Sequence, residues 1–481
     1  MSYLWLQQYR VHLQVTEVVL RILAIIYLFQ SDMESTAVNT WLLIVLPFPI
    51  IGTLLLAYTK LDLGYTGMKR AIQSNIDRSS GILKQDDQAL EELKQRHTSN
   101  YNLVQYLENV NGHFPVYRHT KTTYFPSGEA KFEEMKKQLL KAENYIFLEY
   151  FIIGEGDMWG EILAILKQKV QEGVEVRVLY DGMNEFSTLS FDYKKRLQNI
   201  GIQSRVFASV TPFLSTYYNY RDHRKILLID GKVAFTGGIN LADEYINKIE
   251  RFGHWKDTAL MLEGPAVDTF LVLFLQMWTY SHELLDVTSY MVEHEGFDTP
   301  GFVVPYGDNP LDKDKVGENV YIDILNHARD FVHIMTPYLI LDGELLHALK
   351  FAAERGVDVS IIMPGIPDKK SAYYLAKTYY PTLLASGVKI YEYTPGFIHA
   401  KVFVSDNSRA VVGTINLDYR SLYHHFECAT YLYRTDSVLE IEEDFQATKD
   451  QCHRVSTTDV KNLPFHQKAL GLLTKLVAPL M

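Results

Sequence analysis

The chain has 481 residues, 47% of them hydrophobic, enough for two or three domains with real cores. A formal charge of −11 excludes a nucleic-acid binder that works through a broad basic surface, so any handling of phosphate must be local. Two cysteines, Cys428 and Cys452, exclude a disulfide framework and read as inert buried thiols in a reducing compartment.

Residues 1–60 are expected to form a membrane anchor of two helices. Trp41 to Tyr58 runs 18 residues without a charge, WLLIVLPFPIIGTLLLAY, near the length a helix needs to cross a bilayer. Pro47 and Pro49 would break a soluble helix more readily than a membrane one, where neighbouring groups satisfy the freed carbonyls. Leu13 to Phe29 is mostly apolar but carries Glu17 and Arg21, four apart on one face, and reads as a second span or as an amphipathic interfacial helix. No small-residue cleavage site follows it, which argues against a signal peptide. The connection near Asp32 and Glu34 holds no lysine or arginine, whereas Lys60, Lys69, Arg70 and Arg78 follow the second segment. That asymmetry places the bulk of the chain and, with two spans, the N-terminus in the cytoplasm.

Residues 61–110 are polar and charge-rich, and LKQDDQALEELKQR reads as a solvent-exposed helix in a linker. Beyond it the chain repeats itself once at a long period. YIFLEYFII followed by GEILAILKQKVQEGVEVRVLYDG is answered by FVHIMTPYLI followed by DGELLHALKFAAERGVDVSIIMPG. Each reads as strand, helix and strand, with Gly173 and Gly356 closing the helices. Each half then reaches a hairpin-like stretch, DHRKILLIDGKVAFTGGIN or IHAKVFVSDNSRAVVGTIN, turning at Asp230-Gly231 and Asp406-Asn407. Amphipathic helices follow, around Phe270 to Tyr280 and Val438 to Gln451. The expected fold is α/β: two similar α/β/α subdomains, residues 111–290 and 291–481, sharing a central cleft behind the N-terminal membrane helices. The C-terminal LPFHQKALGLLTKLVAPLM is amphipathic through Leu470, Leu473 and Val477. It is expected to cover a core, membrane docking being the other use of such a stripe.

The strongest signal is a doubled spacing. His223, Lys225 and Asp230, and again His399, Lys401 and Asp406, fit His-x-Lys-x4-Asp, and an asparagine, Asn240 or Asn416, stands 17 residues after each histidine. Residues two apart on a strand share a face, so each histidine and its lysine project into one site. A lysine beside an imidazole disfavours a divalent cation but suits a phosphodiester, whose oxygens it holds while charge develops. No catalytic metal and no cofactor are expected. Two histidines divide the labour at phosphorus, one neutral imidazole attacking and one imidazolium protonating the leaving alcohol, through a phosphohistidine. Asp230, Asp406 or Glu427 could orient an imidazole by accepting its other ring proton.

At these residues the sequence resembles the phospholipase D superfamily, whose paired motifs meet between two similar halves. More narrowly, LEYFII, TPYLI, YYPTLLASGVKIYEYTPGFIHAK and GTINLDYRSLYHHFE resemble the bacterial cardiolipin synthases, over roughly residues 110 to 481. The resemblance implies a membrane enzyme that transfers a phosphatidyl group between two phosphatidylglycerol molecules, giving cardiolipin and glycerol. It implies His223 as nucleophile, His399 as acid then base, and phosphate binding by the lysines and asparagines. Hydrolysis, or transfer to another alcohol, would use the same residues and stays open, as does oligomeric state, while a nucleic-acid partner is disfavoured by the charge. Where many relatives have Leu-Asn before the glutamate, this chain has His424-His425-Phe426-Glu427, and Arg251 stands at the first-half position matching Glu427, with Glu244 nearby.

Overall fold

The internal repeat becomes two sheets with one strand order. The computed structural model describes residues 2–31, 33–60, 66–209, 220–279 and 286–480; Asp32 and residues 61–65 of the expected linker, like the side chain of Lys60, lie outside the described set. The first sheet runs Lys121–Phe125, Ala259–Glu263, Val233–Gly237, Lys225–Ile229, Tyr145–Tyr150, Glu175–Asp181, Gln203–Phe207. The second repeats this order as Phe302–Asp308, His425–Tyr433, Arg409–Gly413, Val402–Ser405, Phe331–Met335, Asp358–Pro364, Lys389–Tyr393, with Cys452–Arg454 added at the edge. Strands joined through helices pair in parallel, and those joined by tight turns pair antiparallel, because only a crossover returns the chain to the same end of a sheet. The hairpin turns place Asp230 (φ 53°) and Gly231 (φ 65°), and Asp406 (φ 52°) and Asn407 (φ 47°), in consecutive left-handed conformations, which match strand twist.

The halves are stitched by two short parallel pairings. Arg221–Asp222 lies beside His425-Phe426, and Gly396–Ile398 lies beside His254–Lys256. Helix Val267–Trp278, expected to be amphipathic, is buried at every residue but Asp268. It packs on Lys225–Ile229 of the first sheet and Phe302–Asp308 of the second, so apolar surface is needed all round it.

The expected linker is part of this body. Helices Thr66–Ser79, Asp87–Arg96 and Thr98–Asn109 bury Ile72, Ala89, Leu93 and Leu107 in the main core. Asn75 Nδ2 donates to Gln276 O at 3.0 Å and to Thr279 Oγ1 at 2.9 Å. The stretch read as solvent-exposed turns its charges outward and docks through Ala89 and Leu93.

At the N-terminus the structure keeps one expected span and divides the other. Within helix Ser2–Gln30, Tyr9–Gln30 is long and apolar enough to cross a membrane, by length and composition. The 41–58 segment, expected to span as one helix, is divided between Ser35–Val45 and Pro49–Lys60. A Cβ on Gly52 would lie 2.8 Å from Val45 Cα, whereas seven residues along a straight helix span about 10 Å, so the chain doubles back. Pro47 and Pro49 supply no N–H to continue the first helix, and each arm, about 17 Å long, falls short of a bilayer core of about 30 Å.

The C-terminal helix Phe465–Val477 is also turned the other way from expectation. Gly471 and Thr474 face the protein, a Cβ on Gly471 meeting Tyr374 O at 2.5 Å, while Leu470, Leu473 and Val477 are exposed. Two small residues allow close docking on helix Lys370–Ala376, which leaves the leucines outside.

Candidate active site

His223 and Lys225, and likewise His399 and Lys401, sit at the start of the paired hairpins and are buried where the two sheets meet. Each histidine's backbone belongs to the other half's ladder. His223 N–H donates to Phe426 O at 2.9 Å, and His399 N–H donates to Lys256 O at 2.7 Å. The cross-half strand pairings therefore fix where each imidazole points.

The carboxylates that hold the imidazoles are also crossed. His223 Nδ1 lies 2.9 and 3.0 Å from the two oxygens of Glu427, and His399 Nδ1 lies 2.6 Å from Asp257 Oδ2. A carboxylate accepts, so Nδ1 carries the proton and Nε2 is left as the reactive nitrogen. Sequence reading found Glu427 and missed Asp257. In register, Gly237 pairs with Ala259 and Gly413 with Ala429, which makes Asp257 the counterpart of Glu427. The signal was present as Asp-Thr-Ala against Glu-Cys-Ala, but six extra residues follow Asn240 and moved the match from Arg251 to Asp257. Arg251 itself is exposed and paired with Glu244 at 2.9 Å, away from the histidines' partners.

The neighbouring residues fit these two carboxylates differently. Gly238 clears space for the shorter Asp257, since a Cβ there would meet its carboxylate at 2.1 Å. Thr414, at the matching position, instead donates its hydroxyl to Glu427 Oε2.

Burial dominates the electrostatics. It drives His223 well below its ordinary value and, with the nearby Lys401 charge, brings His399 down to about 4, against the pull of the carboxylates. Burial alone would raise both carboxyl groups, but His223 and His425 beside Glu427, and His399 and Lys401 beside Asp257, hold them below the ordinary range. Both pairs are thus neutral imidazole with carboxylate near neutrality. Burial also lowers Lys225 to about 7 and Lys401 to about 8, partly opposed by Glu427 and Asp257. Each ammonium donates to the carbonyl of its own histidine, which holds it beside the imidazole.

Asp230 and Asp406, expected in the catalytic set, are elsewhere. They follow the far ends of the strands begun by the lysines, where Asp230 accepts backbone N–H from Glu143, Asn144 and Tyr145 at 2.7 to 2.8 Å. Asp406 likewise accepts from Arg329, Asp330 and Phe331 at 2.9 to 3.0 Å. An odd spacing of five between lysine and aspartate, across a strand of about 3.3 Å per residue, separates them from the imidazoles. Neither orients a histidine; they pin the strands beside the hairpins. Asn240 is engaged within its own half, accepting from Ile152 N–H at 3.0 Å and donating to Tyr245 OH at 2.7 Å. Asn416 Oδ1 is buried with no hydrogen-bond partner among the described residues.

His425 joins the site. Its ring centroid lies 5.3 Å from that of His223, its Nδ1 is 3.6 Å from Glu427 Oε1, and neither ring nitrogen has a hydrogen-bond partner among the described residues. His223, His425 and Glu427 bring three metal-type ligand atoms within 4.8 Å, a cluster that sequence reading did not foresee. Lys225 interacts with both His223 and Glu427, so an ion there would face an ammonium when that lysine is charged.

Two buried imidazoles whose Nε2 atoms meet no hydrogen-bond partner among the described residues, each beside a lysine, suit paired nucleophilic and acid-base chemistry on an anionic group. The family model "Cardiolipin synthase, PLD-like domain" matches residues 135–278 and 321–449, which hold both histidines. A Streptococcus mutans protein of uncharacterised role is 62% identical over 95% of this chain and 99% of its own length. The cardiolipin synthase of Alkalihalophilus pseudofirmus is 33% identical over 95% of this chain and 91% of its own, and cardiolipin synthase 2 of Bacillus anthracis 34% over 94% and 88%. The solved phosphatidylserine synthase of Haemophilus influenzae Rd KW20 shares the fold at a TM-score of 0.62, with 14% identity, over 79% of this chain and 98% of that one. Motif-bearing halves, whole-chain similarity and shared fold agree: the chain belongs to the cardiolipin synthase family of phospholipase D-like proteins and is a phosphatidyltransferase.

Proposed function

We propose that this enzyme makes cardiolipin from two molecules of phosphatidylglycerol, releasing glycerol, through a phosphohistidine on His223. The observation that carries the reading is the crossed pair of imidazoles, each held at Nδ1 by a carboxylate with Nε2 free. In the first step His223 Nε2 forms a bond to phosphorus as the glycerol oxygen leaves and takes a proton from His399. In the second, the hydroxyl of another phosphatidylglycerol gives its proton to His399 while its oxygen displaces His223. His399 is neutral in the free site, and the phosphodiester's negative charge, added to Asp257, favours the imidazolium that the first step needs. Lys225, Lys401 and Asn416 then neutralise or bind the phosphate oxygens.

The catalytic body belongs on the cytoplasmic face of a bacterial membrane, consistent with Lys69, Arg70 and Arg78 following the hairpin. The doubled-back hairpin supports one span plus a segment that enters and leaves on the body's side, which puts the N-terminus on the opposite face. Purified enzyme in phosphatidylglycerol vesicles, followed for cardiolipin, phosphatidic acid and glycerol together, tests the reaction. Equal cardiolipin and glycerol support it; phosphatidic acid with glycerol makes the enzyme a hydrolase, and phosphatidylglycerol left unchanged points to another lipid or acceptor.

A further inference from the structure

The helix Phe465–Val477 is amphipathic with the wrong face inward for a water-exposed helix. Of the thirteen large hydrophobic residues exposed beyond residue 60 among the described residues, six lie on it: Phe465, Leu470, Leu472, Leu473, Leu476 and Val477. Of the other seven, Phe186 and Phe191 meet edge to face at 5.3 Å, and Leu140, Ile249, Phe351, Ile366 and Leu439 belong to separate segments, which is ordinary for a soluble surface. Six in a single helix form a contiguous patch that water does not favour.

Two further observations say what covers it. The segment 461–481 carries Lys461, Lys468, Lys475 and His466 and no acidic residue, in a chain whose formal charge is −11. This is the charge complement of an anionic surface. The helix is also continuous with the apolar hairpin: Thr40 Oγ1 donates to Leu476 O at 2.9 Å, and Ala478–Leu480 packs on Ser35–Val45. Thr40 lies five residues into the hairpin's first arm, roughly 8 Å along its axis, close to the depth at which interfacial helices sit below the headgroups.

We infer that Phe465–Val477 lies in the plane of an anionic bilayer at the base of the hairpin, with its leucines in the acyl boundary and the exposed Lys461 and Lys468 at the phosphates, while Lys475 holds the helix to the body with its ammonium 4.0 Å from the Tyr379 ring centre. It forms a second membrane contact from the far end of the chain, and fixes the catalytic body against the lipid surface rather than leaving it on a single tether. Which alcohol accepts the phosphatidyl group has no bearing on this contact.

Site-directed fluorescence on the full chain tests it. In a Cys452→Ser background, which leaves only the buried Cys428, a Leu473→Cys variant is labelled with an environment-sensitive probe and reconstituted into phosphatidylethanolamine–phosphatidylglycerol vesicles. The expected result is strong quenching by brominated lipid and several-fold weaker quenching by aqueous iodide than in detergent-free denatured protein. Iodide access equal to that of denatured protein would overturn the inference. So would shielding from iodide without bromolipid quenching, which would assign the face to a second copy of the chain. Because the readout is optical, a failure of the proposed reaction leaves it intact.

Discussion

Asp257 Oδ2 stands 2.6 Å from His399 Nδ1, although the two residues belong to different halves of the chain and neither was paired with the other by spacing. The carboxylate fixes the tautomer and would stabilise the imidazolium, so it acts as a positioning residue. Asp257→Asn is expected to lower kcat by about 10³- to 10⁴-fold with little change in KM. Glu427→Gln should do the same through His223. Steady-state kinetics in mixed micelles check both, and a variant that retains more than a tenth of wild-type kcat would argue against the crossed arrangement.

The aspartates of the repeated motif should behave oppositely. Asp230 and Asp406 each accept three backbone N–H bonds and touch no imidazole among the described residues. Asp230→Asn or Asp406→Asn is expected to destabilise the chain by roughly 2–3 kcal/mol, as charge-assisted bonds weaken, while folded protein turns over normally. Thermal melting together with kcat per folded molecule separates this from a catalytic role. A large loss of kcat at unchanged melting temperature would return these aspartates to the mechanism.

Acid stability follows from His399. Folded, its value is about 4; unfolded, it returns to its ordinary 6.5. Between those limits the unfolded chain binds the extra proton, so stability is full above pH 6.5 and falls as the pH drops toward 4. This single group accounts for a loss on the order of 3 kcal/mol across the window. Melting temperature measured against pH should fall less steeply in His399→Gln than in wild type. An unchanged slope would mean that His399 is not held neutral.

His425 stands where the family resemblance led us to expect an asparagine before Glu427; its Nδ1 lies 3.6 Å from Glu427 Oε1, and its buried Nε2 has no hydrogen-bond partner among the described residues. A polar group so placed is expected to bond to the substrate phosphate. His425→Ala should raise KM about 10-fold or more, one lost hydrogen bond to a charged group, with a smaller effect on kcat. His425→Asn should restore much of the affinity. Equal KM values in all three proteins would make His425 a packing residue against Phe151 and His223.

Much of this protein could be read before it folded. The doubled His-x-Lys-x4-Asp motif located both buried histidines, and the continuous apolar runs 226–229 and 402–404 with their turn residues gave the paired hairpins, because apolar runs and turn chemistry are local properties of the chain. What lay beyond reach depended on contacts between distant segments. Asp257 was hidden by six inserted residues and appears only when Gly237 is seen against Ala259. Motif membership suggested that Asp230 and Asp406 were catalytic, yet register sends them to the far end of the hairpin. An apolar run told the composition of residues 41–58 but not that Val45 and Gly52 would meet. Periodicity found the stripe on Phe465–Val477 but not which face would dock; Gly471, which allows approach to Tyr374, decided that. Local sequence determined the elements and the nitrogen chemistry, while tertiary packing alone decided which carboxylate holds each histidine and which apolar faces remain for lipid.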